Sequence, residues 1–204
     1  MSVDFAAFEA FVRSRRSIRR FQGRPVSAEV VRRLLEVACQ APSAHNRQPW
    51  RFVVLERGEN RRRFIEALSA RFRSDLEADG VSEAEIARRL ERSEERLRDA
   101  PWLVILCLTP EGMDAYPDAG RTEAERAMAA QSAALAGGHL LLAAHAEGLG
   151  ACWMCAPLFA VEIVRRALDL PRDWEPQAAI LLGFPAEAGR EKGRRSAEEV
   201  TLWR

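Results

Sequence analysis

Ala124 to Ala146 is small and apolar nearly all the way round, with Gly137 and Gly138 inside it, and no other stretch constrains the fold as tightly. A helix with no polar face has no side to give to solvent, so it must lie at the centre of the fold or pack closely against a second copy of itself. Thr122 and Glu125 stand at capping-box spacing for its start, and Gly148-Leu149-Gly150 supplies its end. Within it, Ala127 to Ala146 approaches the length of a membrane span. Alanine gives little insertion drive, however, and Gln131, Ser132, His139 and His145 interrupt the stretch, so the expectation is a soluble protein without a membrane partner. A chain of 204 residues, 48% hydrophobic and 30% charged, has room for one such core, and residues 1–204 read as a single domain.

The elements around this helix follow from periodicity. Phe5, Phe8, Phe11 and Val12 mark a helix over Asp4 to Ser14. Pro25 and Ser27 introduce a second, with Ser27 as N-cap, Glu29 in the first turn and Val30, Leu34, Leu35, Val37 and Ala38 on one face; it should stop before Pro42. Trp50 to Leu55 reads as a strand, Asn60 to Phe72 and Ser82 to Arg98 as helices, the latter opened by a Ser82/Glu85 capping box. Trp102 to Leu108 is a continuous apolar run, which implies a strand buried on both faces. Phe159 to Leu168 reads as a shorter helix, Ala178 to Leu182 as a strand and Val200 to Trp203 as a last strand. Strands with segregated helices make the class α+β.

A net charge of +1 offers no global field for nucleic acid or an anionic membrane, yet charge is concentrated locally. Arg13, Arg15, Arg16, Arg19, Arg20 and Arg24 fall within twelve residues that hold no acid. Because Lys192 is the one lysine, arginine richness in itself says little; position carries the argument. Arg15-Arg16-Ser17-Ile18-Arg19 lies where a helix gives way to a loop. Guanidinium forks and a hydroxyl supply what a phosphate monoester needs, although a solvated basic turn has the same composition.

Three further stretches carry chemistry. The proline-bounded loop from Pro42 to Gln48 offers Ser43, Asn46 and Gln48, whose donors and acceptors suit the edge of a heteroaromatic ring, or form an ordinary polar turn. Gly148-Leu149-Gly150-Ala151-Cys152-Trp153-Met154-Cys155 permits close backbone approach to a flat ligand, with Trp153 or Met154 as an apolar wall. Its Cys152 and Cys155 have C-x-x-C spacing, but no second pair completes a zinc site, so no metal is expected. Lys192-Gly193-Arg194-Arg195 either returns to the phosphate or is a solvated tail. His45, His139 and His145 do not stand at ligand spacing, and the last two read as satisfied helix residues. Met1 to Phe11 carries Asp4 and Glu9 and resembles no secretion signal, so the expected compartment is a reducing cytoplasm with free thiols. G-x-G-x-x-G after a strand, the Walker loop, G-x-S-x-G and H-E-x-x-H are all missing, which disfavours a Rossmann nicotinamide site.

In their order and spacing, Arg15-Arg16-Ser17-Ile18-Arg19, then Ala41-Pro42-Ser43 with Asn46-Arg47-Gln48-Pro49-Trp50-Arg51-Phe52, then Gly148-Leu149-Gly150-Ala151-Cys152-Trp153, resemble the FMN-binding nitroreductase family, over about Phe8 to Trp203. The resemblance implies a mixed, mostly antiparallel sheet flanked by helices, a long central helix and an intertwined homodimer. It implies that Arg15, Arg16, Ser17, Ile18 and Arg19 hold the FMN phosphate and ribityl chain, joined by Lys192 and Arg194. Pro42, Ser43 and Ala44 would reach the flavin from the partner subunit, Asn46 and Gln48 would also bind the cofactor, and Trp153, Met154 and Cys155 would face its ring. The activity implied is ping-pong: NAD(P)H reduces FMN, then a nitroaromatic, quinone or related acceptor is reduced, with no protein acid or base indispensable. Arg73-Ser74-Asp75-Leu76, Tyr116-Pro117-Asp118-Ala119 and Leu168-Asp169-Leu170-Pro171 with Asp173-Trp174-Glu175-Pro176 are more narrowly similar to the flavin reductase domain fused to a deazaflavin coenzyme glutamyl ligase. That implies Asp75 in substrate binding, and a deazaflavin precursor as an alternative acceptor; a flavin-storing module without turnover is the non-enzymatic alternative.

Overall fold

The computed structural model describes residues 3–204. Helices α1 (Phe5–Ser14) and α2 (Ala28–Ala38) precede strand β1 (Trp50–Leu55); α3 (Glu59–Ala78) and α4 (Glu83–Asp99) lead into β2 (Trp102–Leu108); and α5 (Ala119–Ala146) into β3 (Gly150–Met154). Then come α6 (Val161–Ala167), β4 (Glu175–Gly183) and the short α7 (Ala197–Val200). The sheet order is β1-β2-β4-β3, every neighbouring pair antiparallel. The parallel component of the expected mixed sheet is an isolated bridge, Ser17 to Ala151, at the β3 edge.

β2 shows why a continuous apolar run forms a strand here. Leu103, Ile105 and Cys107 turn to one face, where Phe64, Ile65 and Leu68 of α3, Leu97 of α4 and Val164 of α6 cover them. Trp102 and Val104 turn to the other, against Val31, Leu34 and Ala38 of α2 and Leu140 and Ala144 of α5. Leu106 and Leu108 meet Ala133 and Ala136 further along α5. Each such side chain, fully removed from water, contributes about 1.5–3 kcal/mol. Small residues bring one face of α5 close to the sheet. Its opposite face is open, with Leu135 48% exposed. By length and composition alone α5 is apolar enough to cross a membrane; in this fold one side of it is core.

Several boundaries differ from expectation for local reasons. Asp118, not Thr122, caps α5 by accepting from the Arg121 N–H at 2.9 Å, so the helix starts at Ala119 and Thr122 lies inside it. Ser82 is the N-cap of α4, but its side chain makes no cap bond, and Glu85 pairs with Arg88 and Arg89 instead. α3 runs six residues beyond Phe72, supported by Arg71–Asp75 and Arg73–Glu77 pairs one turn apart. The strand expected over Val200–Trp203 does not form among the described residues. A complete capping box, Ser196 with Glu199, commits the preceding turn to helix α7.

Candidate functional site

The turn after α5 builds the site. Leu149 N–H donates to Ala144 O at 2.8 Å and Gly148 N–H to His145 O at 3.1 Å, with Gly148 at φ 73°. This is a Schellman closure, whose left-handed position suits glycine. It turns the chain straight into β3, whose first residues meet the segment leaving α1: Ile18 N–H donates to Ala151 O at 3.0 Å. A Cβ on Gly150 would stand 2.6 Å from Ile18 Cβ, so glycine permits this approach. The chain leaving β4 closes the third side, with Gln22 N–H on Phe184 O at 2.9 Å and Ala186 N–H on Arg20 O at 3.1 Å.

Between these three segments lies a cleft of about 560 Å³, within the range of about 300–1,000 Å³ usual for small-molecule sites. Arg15, Arg16 and Ile18 line it, with Leu141 and His145 of α5 and the backbone from Gly148 to Ala151. Arg15 is half-buried and, among the described residues, pairs with no carboxylate. Arg16 reaches Glu191 at 3.2 Å. Ser17 and Arg19 are exposed beside the cleft and do not line it. His145 Nε2 lies 2.7 Å from Ser14 Oγ, and its ring is tilted against Phe11 at 4.9 Å. Burial and then Arg15 hold this histidine below its ordinary value, partly opposed by the Phe11 carbonyl, with Arg16 adding to the lowering.

The returning C-terminal segment does reach the arginines, but with acids. Glu187 and Glu191 line the cleft, whereas Lys192 and Arg194 are exposed and Arg194 bonds the carbonyls of Lys192 and Gly193. Asp75 is held by Arg71 at 2.8 Å on α3 and does not line the cleft.

The Pro42–Gln48 loop is a separate, tightly fastened structure. His45, Asn46 and Gln48 all have φ near +50°, a conformation costly for residues with a Cβ and held only where surroundings enforce it. Ser43 Oγ accepts from Gln48 N–H at 3.0 Å and Ser132 Oγ of α5 accepts from Ala44 N–H at 3.3 Å. Arg47 fastens the loop to Glu125, buried on α5, and to Asp114. Ser132 and the cleft residue Leu141 are about 14 Å apart along the helix. No residue of the loop lines the cleft of its own chain.

At the far end of β3, Trp153 lies against α5 and its Nε1–H donates to Cys155 Sγ at 3.2 Å. Met154 packs on the opposite face of the sheet. Cys152 is buried, its thiol pushed up by burial, while Cys155 is exposed; both are free. Among the described residues no three His, Cys, Asp or Glu side chains gather to hold a metal. Sequence reasoning missed the Ser14–His145 contact and the Arg47–Glu125 anchor, whose partners are separated by 131 and 78 residues.

Arg15 is thus a half-buried guanidinium paired with no carboxylate among the described residues, in a cleft opened by glycines. Residues 12–184 match the family described as the Nitroreductase family. The chain belongs to that family. A "NADH dehydrogenase" of Thermus thermophilus is 34% identical over 198 residues, covering 93% of this chain and 92% of the relative. A "5,6-dimethylbenzimidazole synthase" of Rhodospirillum rubrum is 33% identical over 184 residues, covering 88% and 82%. Among solved structures, a protein assigned as a nitroreductase from Desulfovibrio desulfuricans, crystallised with FMN, superposes with a TM-score of 0.74 at 29% identity, over 100% of this chain and 98% of that one.

Proposed function

We propose that the chain is an FMN-dependent oxidoreductase that takes electrons from NAD(P)H and delivers them to a small organic acceptor, working as a homodimer in the cytoplasm. The observation that carries this reading is Arg15: a half-buried guanidinium, without a counter-ion among the described residues, in the lining of a cleft that β3 and its glycines shape. A phosphate monoester supplies the missing charge. Ser17 and Arg19 follow Arg15 closely in the chain for the same group and the ribityl hydroxyls, Ile18 lines the cleft, and Lys192 and Arg194 follow directly on Glu191, the last cleft residue of the returning segment. When bound, the flavin accepts hydride and passes electrons on; the protein positions it and excludes water. Trp153, Met154 and Cys155 lie further along β3, where the ring would extend.

The dimer is proposed because one chain holds the two halves of the site apart. Pro42, Ser43, Ala44, Asn46 and Gln48 belong to a loop fastened to α5 yet do not line their own cleft, which suits delivery to a partner. Surfaces for a second copy are also in place. The apolar stripe of α1 is open, with Phe5 75% exposed, and so are Leu135 of α5 and Trp203, the latter 87% exposed. Four free thiols suit a reducing compartment.

A narrower acceptor, a deazaflavin coenzyme precursor bound with help from Asp75, is supported by the Arg73–Leu76, Tyr116–Ala119 and Leu168–Pro176 stretches. It predicts that such a precursor is reduced much faster than nitroarenes or quinones; equal rates remove it. The general reading is tested by titrating purified protein with FMN and following quenching of flavin fluorescence alongside sedimentation. One FMN per subunit on a dimer supports it, and a protein that binds no FMN defeats it.

A further inference from the structure

The Ser14–His145 contact lies in the cleft but has no part in the function described above. Ser14 has one hydroxyl proton, and it goes to Phe11 O at 2.8 Å. With the hydroxyl proton on Phe11 O, the 2.7 Å contact is an Nε2–H donating to Ser14 Oγ from a neutral ring whose Nδ1 is unprotonated. We propose that His145 is the proton-linked member of the phosphate site: when a phosphate monoester enters beside Arg15, Nδ1 takes up a proton from solvent and the imidazolium joins the arginines around the anion. This rests on the FMN reading and names a binding residue beyond it.

The charges facing His145 make the coupling follow. From α1 come Ser14, in contact with Nε2, and the Phe11 carbonyl, which favours the cation, as a helix C-terminus does. From the segment after α1 come Arg15 and Arg16, which oppose it, as does burial. The returning segment contributes Glu187 and Glu191 to the cleft wall, Glu191 already spent on Arg16. On α5 itself, Glu147 is paired with Arg33 of α2 at 2.7 Å. A phosphate on Arg15 and Arg16 offsets the part that these arginines, after burial, play in keeping the ring neutral, and the protonated form gains. By linkage, His145 then makes phosphate binding tighter as pH falls through its bound-state midpoint. The phosphate's own second ionisation, near pH 6, has the opposite slope, so a single pH profile is not decisive.

The chain has three histidines, His45, His139 and His145, so each ring can be followed by NMR. The experiment titrates the wild-type protein alone, with FMN and with riboflavin, and measures FMN binding heats near pH 7 in two buffers of different ionisation enthalpy, for wild type and H145Q. Glutamine retains a donor for Ser14. The expected result is a His145 midpoint that rises with FMN but not with riboflavin, and proton uptake by the wild type that H145Q loses. If FMN binds but the midpoint stays fixed, or riboflavin moves it equally, or H145Q takes up as many protons, His145 is only a structural tie and the proposal is overturned. Absence of FMN binding defeats instead the functional reading beneath it.

Discussion

A Cβ on Gly137 would stand 2.2 Å from Cζ3 of Trp153, so the indole at the end of β3 reaches the backbone of α5 because residue 137 has no side chain. The adjacent Gly138 has nothing within 4 Å of the same position. Two neighbouring glycines therefore differ in what they do.

G137A is expected to lose up to about 2 kcal/mol, because overpacking costs about 1–3 kcal/mol and the gain in helix propensity returns only about 1. G138A should gain up to about 1 kcal/mol in the isolated subunit. Urea unfolding of the two variants checks the pair; equal losses would mean that the indole contact is not what Gly137 serves.

R15A removes the unpaired charge of the cleft. FMN affinity should fall about ten- to hundredfold, the cost of one charge-assisted hydrogen bond or a little more, while riboflavin affinity changes little. Fluorescence titration with both ligands checks it, and an equal fall for riboflavin would place Arg15 on the ring instead of the phosphate.

Arg47 neutralises the buried carboxylate of Glu125 and so holds the strained loop on α5. R47A strands that carboxylate and should destabilise the fold, and adding E125Q should restore part of the loss, since the pair costs most when only one member is removed. Thermal unfolding of both singles and the double variant measures the coupling. A double variant less stable than R47A would contradict it.

The four thiols should separate cleanly. Burial pushes Cys107 up to about 12 and also raises Cys152, whereas Cys39 and Cys155 are exposed. At pH 8, well below the Cys107 value, thiolate is scarce at the buried pair, so iodoacetamide should modify Cys39 and Cys155 of the native protein and spare the others. Bound FMN should slow labelling at Cys155 and leave Cys39 unchanged, as read by mass spectrometry.

Most elements were legible because their patterns are local. Ser27 caps α2 as read, the apolar run at Trp102 is the central strand, and the small residues of α5 lie on the sheet. β3 was not read as a strand, because Gly-Ala-Cys-Trp-Met has no alternation and is extended by pairing with β4, more than twenty residues later. The sequence left the C-terminal segment open between a return to the cleft and a solvated tail, whereas the arginines and the glycine turn followed from it. That Glu191, and not Lys192, meets Arg16 did not, because a one-residue change in an irregular segment redirects a side chain without altering any pattern. His145 reads as a satisfied helix residue and is one, but its partner stands 131 residues away and only the fold brings the pair into the cleft.

If the site is shared between subunits, two damaged chains should repair each other. R15A and a variant with a bulky residue at Ser43, S43W, should each bind FMN poorly as homodimers. Their heterodimer has one site carrying both lesions and one carrying neither, and should bind about one FMN per dimer. No recovery would mean that each chain builds its own site.

The most direct test of the central claim is an anaerobic absorbance titration of the FMN-loaded protein with NADH and then NADPH, followed by addition of a quinone or nitroarene. The account predicts that the flavin band bleaches with at least one donor and returns on adding the acceptor. A protein that holds FMN whose spectrum neither donor changes would contradict the oxidoreductase reading and leave a flavin-binding module in its place.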